Sequence, residues 1–199
     1  EVKAKYQAHV EKMLAMAGDK NAAAHAKAVV ALETSLAEVQ WTKVENRDPV
    51  KRYNKKAVAK LNKLTPGYDL KAGLAAYGIA NKVDYVIVNQ PSYLAGYSKV
   101  LAAAELDTVK AYFEWQLLRA YAPYLSKNFV DTSFDFYGTV LSGVKENQPR
   151  WKRGVGAVDN VLGEAVGKLY VAQYFPPERK DEVELLARFE REARVIRRM

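Results

Sequence analysis

Apolar residues recur every three or four positions along most of this 199-residue chain, a spacing that predicts amphipathic helices. The first stripe predicts a helix that ends near Gly18, because glycine readily adopts the left-handed conformation at a helix C-terminus. A second helix is predicted over residues 22–40, capped by Asp19 or Asn21. So short a turn predicts an antiparallel hairpin. The residues predicted to face the core are Val2, Tyr6, Val10, Met13, Leu14 and Ala17, then Ala26, Val29, Leu32, Leu36 and Val39.

The segment from Trp41 to Lys82 is less regular. The residue before a proline avoids the helical region, so Arg47-Asp48-Pro49 predicts a turn or an extended conformation. Short helices are predicted at residues 56–64 and 69–77. Residues 84–88 are β-branched and aromatic and predict a strand. Because a strand must pair, its partner is expected in a short segment elsewhere in the chain or in protein outside it.

Helical periodicity resumes at Pro91. Further helices are predicted over residues 91–104, after a cap at Asp107, over residues 127–141, from Pro149 to before Pro176, and from about Pro177. The helix after Asp107 is predicted to face inward through Val109, Tyr112, Phe113, Leu117, Ala120, Tyr121 and Tyr124. The last is predicted to do so through Val183, Leu186, Phe189 and Ile196. The predicted fold is therefore mainly α, an irregular multi-helix bundle with at most one or two short strands.

Composition narrows the class of protein. Apolar residues make up 49% of the chain, which is typical of a globular domain rather than a disordered one. No apolar run approaches the ~20 residues of a membrane span. The chain has no cysteine, which excludes disulfides and thiolate metal sites. Helical patterns run through both ends without the usual start and stop signals, so the chain is interpreted as a fragment.

The net charge of +8 is concentrated in one stretch. Between Lys43 and Lys63 the chain carries eight basic residues against Glu45 and Asp48. The favoured interpretation is a solvated basic face that contacts another domain, and no nucleic acid is expected as a partner. A basic helical module that binds nucleic acid, or a helical scaffold, remains the alternative.

Known catalytic patterns are missing from the sequence. A peptidase zinc site needs two histidines one helical turn apart and a glutamate that activates water, whereas His9 and His25 lie on different predicted helices. Both are predicted to be ordinary histidines on helix flanks. Glu164 is the best candidate for a buried charge, and Arg153 or Lys168 is its predicted ion-pair partner.

Two motifs carry a family resemblance. The stretch from Gln148 to Tyr170 contains Pro149, Trp151-Lys152-Arg153, Asn160, Gly163-Glu164 and Gly167, followed by Leu169-Tyr170-Val171. Earlier in the chain lie Arg47-Asp48-Pro49 and Tyr53-Asn54-Lys55. Together they resemble the P-x-W-[KR]-R…G-x-L-Y-V and R-D-P-x-x-x-Y-N-K signatures of the neprilysin and endothelin-converting-enzyme family of zinc metallopeptidases. Gly154 stands where animal members often have cysteine, so the chain resembles a bacterial-type member.

The resemblance implies that residues 1–199 are part of the N-terminal helical domain of a zinc-dependent endopeptidase. In that family this domain forms a lid over the catalytic cleft, which admits oligopeptides of modest size. The zinc ligands lie in a catalytic domain later in the sequence, so the resemblance implies no cofactor in this chain, zinc in the parent protein, and no activity for the chain alone. It also implies that the parent is periplasmic or extracellular.

The motif residues are predicted to be structural or to meet the missing catalytic domain. They are Arg47, Asp48, Pro49, Tyr53, Asn54, Trp151, Arg153, Asn160 and Glu164. The looser segment, residues 41–90, is expected to contact that domain, with exposed apolar side chains beside Arg47–Asn54 or the strand. Gly156, Gly163, Ala165 and Gly167 are predicted to let another helix approach closely, between Trp151 and Tyr170 as large anchors.

Overall fold

Helices dominate the chain, and the predicted mainly α fold with short strands is confirmed. The computed structural model describes residues 1–175, 179 and 181–184, in two units, Glu1–Lys145 and Glu146–Met199. The α-helices of the first unit are α1 (Val2–Met16), α2 (Ala22–Glu38), α3 (Pro49–Arg52), α4 (Leu70–Ala76), α5 (Pro91–Ala103), α6 (Leu106–Tyr121) and α7 (Lys127–Phe134). Its shorter elements are 3₁₀ turns at Glu45–Arg47, Val58–Lys63 and Ala122–Tyr124, a π-helix at Asp135–Val140, and strands β1 (Lys55–Ala57) and β2 (Tyr85–Ile87). The second unit contains α8 (Arg150–Tyr174).

The predicted last helix is only partly within the described residues. Val183 is exposed, so its predicted inward position is wrong. Leu186, Phe189 and Ile196 lie outside the described residues.

The turn between α1 and α2 forms at Gly18, as the sequence predicts. Gly18 has φ +100°, a value that side chains rarely tolerate. Its N–H donates to the Ala15 carbonyl at 3.0 Å, and the N–H of Asp19 donates to the Leu14 carbonyl at 3.1 Å. These bonds satisfy carbonyls at the end of α1 and direct the chain back along it. Asp19 Oδ1 then accepts from the N–H of Asn21 at 2.8 Å, just before α2.

The main core of the first unit surrounds Trp115 of α6, which is completely buried. Apolar side chains of α1, α2 and α6 pack together there, as the stripes of the first two helices predict. Val2 and Ala17, which were also predicted to face the core, are instead exposed at the two ends of α1. The buried members are Val10, Met13, Leu14, Ala22, Ala26, Val29, Val30, Ala111, Trp115 and Ala122. Helix α7 adds Phe129 at the edge of this cluster.

A chain of polar contacts runs through this core. Trp115 Nε1 donates to the Tyr6 hydroxyl at 3.1 Å, and that hydroxyl donates to Glu33 Oε2 at 2.8 Å. Gln116 Nε2 donates to the other oxygen, Glu33 Oε1, at 3.1 Å. Burial and the bond to Glu33 raise the pKa of Tyr6. The contacts therefore join α1, α2 and α6 through groups that would be costly to leave unpaired.

The predicted inward face of α6 is wrong at five of its seven residues, whereas Val109 and Tyr112 are partly buried and Tyr112 packs against the core. Phe113, Leu117, Ala120, Tyr121 and Tyr124 are exposed, whereas Ala111 and Trp115 are buried. The helix is apolar on two sides, and the side that carries the indole packs inward. Asp107 is also not the cap, because α6 follows Glu105 and Asp107 lies in its first turn.

The predicted helix over residues 127–141 forms as α7 and a π-helix. At Gly138, inside the π-helix, an added Cβ would stand 2.4 Å from the ring of Phe134, so the close approach requires glycine. The π-helix brings Phe136 and Tyr137 against His9 of α1, with ring centroids 4.9 and 5.5 Å away. Gly143, with φ +69°, follows the helical stretch.

The predicted strand finds its partner inside the chain. Strand β2 pairs antiparallel with β1, with Lys55 opposite Ile87, Lys56 opposite Val86 and Ala57 opposite Tyr85. The helix predicted at residues 56–64 is therefore wrong for its first residues, and a 3₁₀ turn forms the rest. Beneath the sheet lies a second, smaller cluster of buried residues, Val58, Leu61 and Val88.

His9 is buried rather than on a helix flank, which corrects the prediction. Its ring stacks on Phe136 at an interplanar angle of 10°, and its Nε2 has no hydrogen-bond partner within the described residues. Burial, with a smaller effect of Lys12, lowers the pKa of His9 to about 4. The neutral ring therefore belongs to the native state.

His25 joins two distant parts of the first unit. Its Nδ1 lies 2.7 Å from Asp19 Oδ2 before α2, and its Nε2 lies 3.1 Å from Asp107 Oδ2 in α6. The hydrogen bond to Asp19, and after it the one to Asp107, raise the pKa of His25. The protonated ring can donate to both carboxylates.

We expect His9 to weaken the fold in acid. Because its folded pKa lies below its unfolded value, the unfolded chain binds more protons as the pH falls from about 6.5 to 4. Over that range the native chain should lose up to about 3 kcal/mol of stability that a His9→Phe variant keeps. Urea unfolding of both proteins at several pH values measures the difference, and parallel stability curves would contradict it.

His25 should have the opposite pH dependence. Its raised folded pKa means that its contribution is complete below the unfolded pKa and is lost as the pH rises through the folded one. A His25→Gln variant should therefore be destabilised at pH 5.5, by about 1 kcal/mol or less since Asp107 is exposed. At pH 9 the variant and the native chain should unfold at similar urea concentrations. An equal loss of stability at both pH values would show that the ring acts through packing alone.

Candidate interdomain surface

The five motif residues of the first unit lie together in the turn that precedes β1. Asp48 is extended, with φ −77° and ψ 109°, as predicted for a residue before proline. Its Oδ1 accepts hydrogen bonds from the backbone N–H groups of Val50 at 2.8 Å and Lys51 at 3.0 Å. Pro49 occupies the first turn of α3, where no N–H is required. Asp48 and Pro49 therefore start this one-turn helix.

Asn54 connects the turn to the sheet. Its Nδ2 donates to the Lys51 carbonyl at 2.7 Å, which closes α3. Its own carbonyl accepts from the N–H of Val88 at 2.9 Å, the first rung of the ladder with β2. Arg47 ends the preceding 3₁₀ turn, and both Arg47 and Tyr53 are exposed. The motif thus sets the direction in which β1 leaves the turn.

A second set of contacts supports the turn, and the sequence-based predictions missed it. Glu45 Oε2 accepts from both the N–H and the hydroxyl of Thr42 at 2.9 Å, and the Thr42 hydroxyl accepts from the N–H of Glu45 at 3.2 Å. Lys51 Nζ lies 2.6 Å from Glu45 Oε1 and 4.7 Å from the ring centre of Trp41. The bond to Lys51 and those to Thr42 lower the pKa of Glu45 to about 2. The spacing Thr42-x-x-Glu45 is a capping-box signal that could have revealed this set.

Gln90 ties the turn to the start of α5. Its Oε1 accepts from the N–H of Trp41 at 2.9 Å, and its Nε2 donates to Asn46 Oδ1 at 2.8 Å. Trp41 Nε1 also donates to the Ser92 hydroxyl at 2.6 Å. Residues at the two ends of segment 41–90 therefore hold the turn in place. Few apolar side chains of that segment are buried.

Large apolar side chains near the turn and the sheet point to solvent. Val50 is 81% exposed, and Val44, Tyr53, Tyr77, Tyr85 and Ile87 are also exposed. On α6 the exposed residues Phe113, Leu117 and Tyr121 form another stripe at helical spacing, and Tyr124 in the following 3₁₀ turn is exposed as well. An exposed apolar stripe of this kind is typical of an interaction site.

The motif residues of the second unit do not form a site within the described part of that unit. Trp151 is 67% exposed, its ring centre is 5.5 Å from Lys152 Nζ, and Asn160 is also exposed. Arg153 Nε donates to the Gln148 carbonyl at 3.2 Å near the start of α8. Among the described residues, a Cβ added to any of the four glycines of α8 would meet no atom within 4 Å, so none of those residues brings a helix close to Gly156, Gly163 or Gly167.

The predicted buried environment of Glu164 is wrong. It is exposed rather than buried, and it forms no ion pair with Arg153 or Lys168 in the described structure. The neighbouring glycine and alanine made the position look buried. Large apolar side chains of α8, among them Val155, Val158, Leu162 and Leu169, are exposed as well.

The described residues do not provide the set of ligands that a zinc site needs. Among them, no three His, Cys, Asp or Glu side chains group closely enough to hold a metal ion. His25, which has two carboxylates beside it, uses both ring nitrogens in those contacts. The described side chains therefore do not fit a zinc ion. No helix in the same part of the chain is long and apolar enough to cross a membrane.

Comparisons with known proteins agree with the motifs. The N-terminal model of a family described as Peptidase family M13 matches residues 1–193. The chain is similar to endothelin-converting enzyme 1 of Rattus norvegicus, with 25% identity over 88% of this chain and 24% of that enzyme, and to neprilysin-11 of Caenorhabditis elegans, with 25% identity over 77% and 19%. Among solved structures it resembles the Mycobacterium tuberculosis zinc metalloprotease ZMP1 in its open state, with a TM-score of 0.87, 36% identity and coverage of 94% of this chain and 29% of that one. The chain thus spans about a quarter of the length of these relatives.

The turn offers a direct test of the Asp48 cap. An Asp48→Ala variant loses the acceptor for two backbone N–H groups and should lose about 1 kcal/mol of stability. Amide exchange at Val50 and Lys51 should also become faster. Asp48→Asn keeps an acceptor and is the matched control, expected to resemble the native chain in both urea unfolding and exchange. Unchanged exchange in the alanine variant would mean that Pro49 alone holds α3.

Proposed function

Because this chain belongs to Peptidase family M13, we propose that it is part of the helical domain of a zinc metalloendopeptidase and restricts access of oligopeptides to the active site. In this proposal the zinc ligands lie in a part of the polypeptide outside this chain, and the chain alone does not hydrolyse peptides. The family match over residues 1–193 is the observation that carries the proposal.

The surface of the first unit supports a contact with that other part. The turn at Arg47–Asn54 is held by its own hydrogen bonds yet leaves Val50 and Tyr53 exposed. The stripe at Phe113 and Leu117 on α6 is exposed as well. A rigid surface with outward apolar side chains loses little conformational freedom when it is covered. We propose that segment 41–90 and this stripe pack on the catalytic domain.

The same reasoning extends to α8. Its motif residues Trp151, Arg153, Asn160 and Glu164 meet no partner in the described part of the second unit that would explain them. We propose that they also face polypeptide outside this chain. The proposed location of the parent protein is periplasmic or extracellular, on the family resemblance alone.

The first test asks whether this chain alone can hydrolyse a peptide. The purified chain with added zinc should leave a fluorogenic oligopeptide intact, whereas the intact parent polypeptide should cleave it and lose activity to a chelator. Chelator-sensitive hydrolysis by the 199-residue chain alone would refute the proposed division of roles.

A second test asks whether the helical domain limits the size of substrate that reaches the active site. In the intact polypeptide, Val50→Arg and Leu117→Arg should weaken the proposed contact, because a charge would be buried against apolar surface. Cleavage of a large unfolded protein such as casein should then rise at least several-fold relative to cleavage of an octapeptide. Lys27→Glu, an exposed charge change on α2, is the control. If the ratio of the two rates stays constant, the helical part does not select substrates by size.

A further inference from the structure

One edge of the small sheet has free main-chain groups. The N–H of Val58 donates to the Asp84 carbonyl and that of Val88 to the Asn54 carbonyl, both at 2.9 Å. Hydrogen-bonded pairs alternate along an antiparallel ladder, so Lys56 and Val86 form the pair between them. Lys55 and Ala57 are the non-bonded positions, and their N–H groups and the Lys55 carbonyl point away from β2.

This edge of β1 is open in the described structure. Lys55 and Ala57 are exposed, and no hydrogen bond of the described residues reaches the N–H of either. Unpaired N–H and C=O groups in a row are a template for another strand. Because the ladder continues from Asn54 to Val58, the edge is long enough for about four residues of an added strand.

Basic side chains close to the edge in sequence favour one kind of strand. Arg52, Lys55 and Lys60 form no ion pair with any described carboxylate. Lys55 Nζ lies 3.9 Å from the ring centre of Tyr85, which holds its charge over the outer face of the sheet. Val50 and Tyr53, both exposed, lie just before the edge in the chain. Positive charge and apolar surface thus flank the free main-chain groups.

We propose that the β1 edge binds an extended acidic segment of polypeptide, which adds to the sheet as a third strand. The main-chain groups of Lys55 and Ala57 supply the hydrogen bonds, as in other cases of strand addition. The basic side chains select for glutamate or aspartate in the segment. The peptidase proposal assigns exposed side chains of segment 41–90 to the catalytic domain, whereas this binding uses the main-chain edge of β1 and is tested separately, on the 199-residue chain.

The experiment uses the 199-residue chain and a fluorescein-labelled octapeptide that alternates glutamate with threonine. Fluorescence anisotropy should give saturable binding. A peptide N-methylated at every amide keeps its charge but has no N–H to donate from either edge, and we expect at least a tenfold weaker Kd. Equal binding of the methylated peptide would overturn the proposal, since charge alone would then explain the affinity.

Two variants test the edge itself. Ala57 has φ −63° and ψ 136°, which proline accepts, and its N–H takes no part in the ladder. Ala57→Pro should therefore keep the native circular dichroism and weaken peptide binding at least tenfold. Lys55→Glu should also weaken it, whereas Lys110→Glu, the same charge change on α6, should change the Kd less than twofold.

Nucleic-acid binding and self-association would give results that differ from those of strand addition. On peptide binding, amide exchange should slow at Lys55 and Ala57 and stay unchanged at Lys56, and protection elsewhere would contradict the assignment. A single-stranded RNA octamer that binds more tightly than the peptide would identify the patch as a nucleic-acid site instead. Dimers that disappear in Ala57→Pro without any peptide binding would mean that the edge pairs with a second copy of the chain.

Discussion

The first unit is organised by the burial of a single indole. Trp115 is surrounded completely, and a buried N–H without an acceptor would be costly. The acceptor is the hydroxyl of Tyr6 on α1, and that hydroxyl needs Glu33 on α2. Three helices are thereby fixed in rotation as well as in position. If α6 turned its other apolar side inward, Phe113 and Leu117 would be covered, but the indole would lose this partner.

This polar chain explains which parts of the fold the sequence could predict. Helices α1 and α2, the turn at Gly18 and the strand predicted at residues 84–88 follow from local spacing. They form, although Val2 and Ala17 lie outside the core and the strand extends only over Tyr85–Ile87. The inward face of α6 does not, because two apolar faces compete and hydrogen bonds over long sequence distances decide between them. Strand β1 was also beyond local reasoning, since Lys55-Lys56-Ala57 has little β-propensity and is extended because β2 needs a partner.

In the candidate surface, too, contacts local in sequence could be predicted and contacts distant in sequence could not. Asp48, Pro49 and Asn54 act through contacts within a few residues, so turn chemistry indicates their positions. The roles of Gln90 and Trp41 depend on a contact across 49 positions, for which the sequence carries no local signal. On α8 the pattern of glycines and apolar residues indicated a helix correctly but not what lies beside it. A helical pattern shows which residues share a face, whereas their burial depends on the rest of the protein.

The three tryptophans each belong to a different part of the molecule, which makes the chain its own set of optical reporters. Trp115 lies in the main core, Trp41 contacts Lys51 in the turn, and Trp151 is exposed on α8. A core indole emits at shorter wavelength than a solvated one, so replacing Trp41, Trp151 or both while keeping Trp115 would separate the signals of the three regions during unfolding. Loss of the turn before loss of the core would then be visible as two transitions at different denaturant concentrations, without any added label.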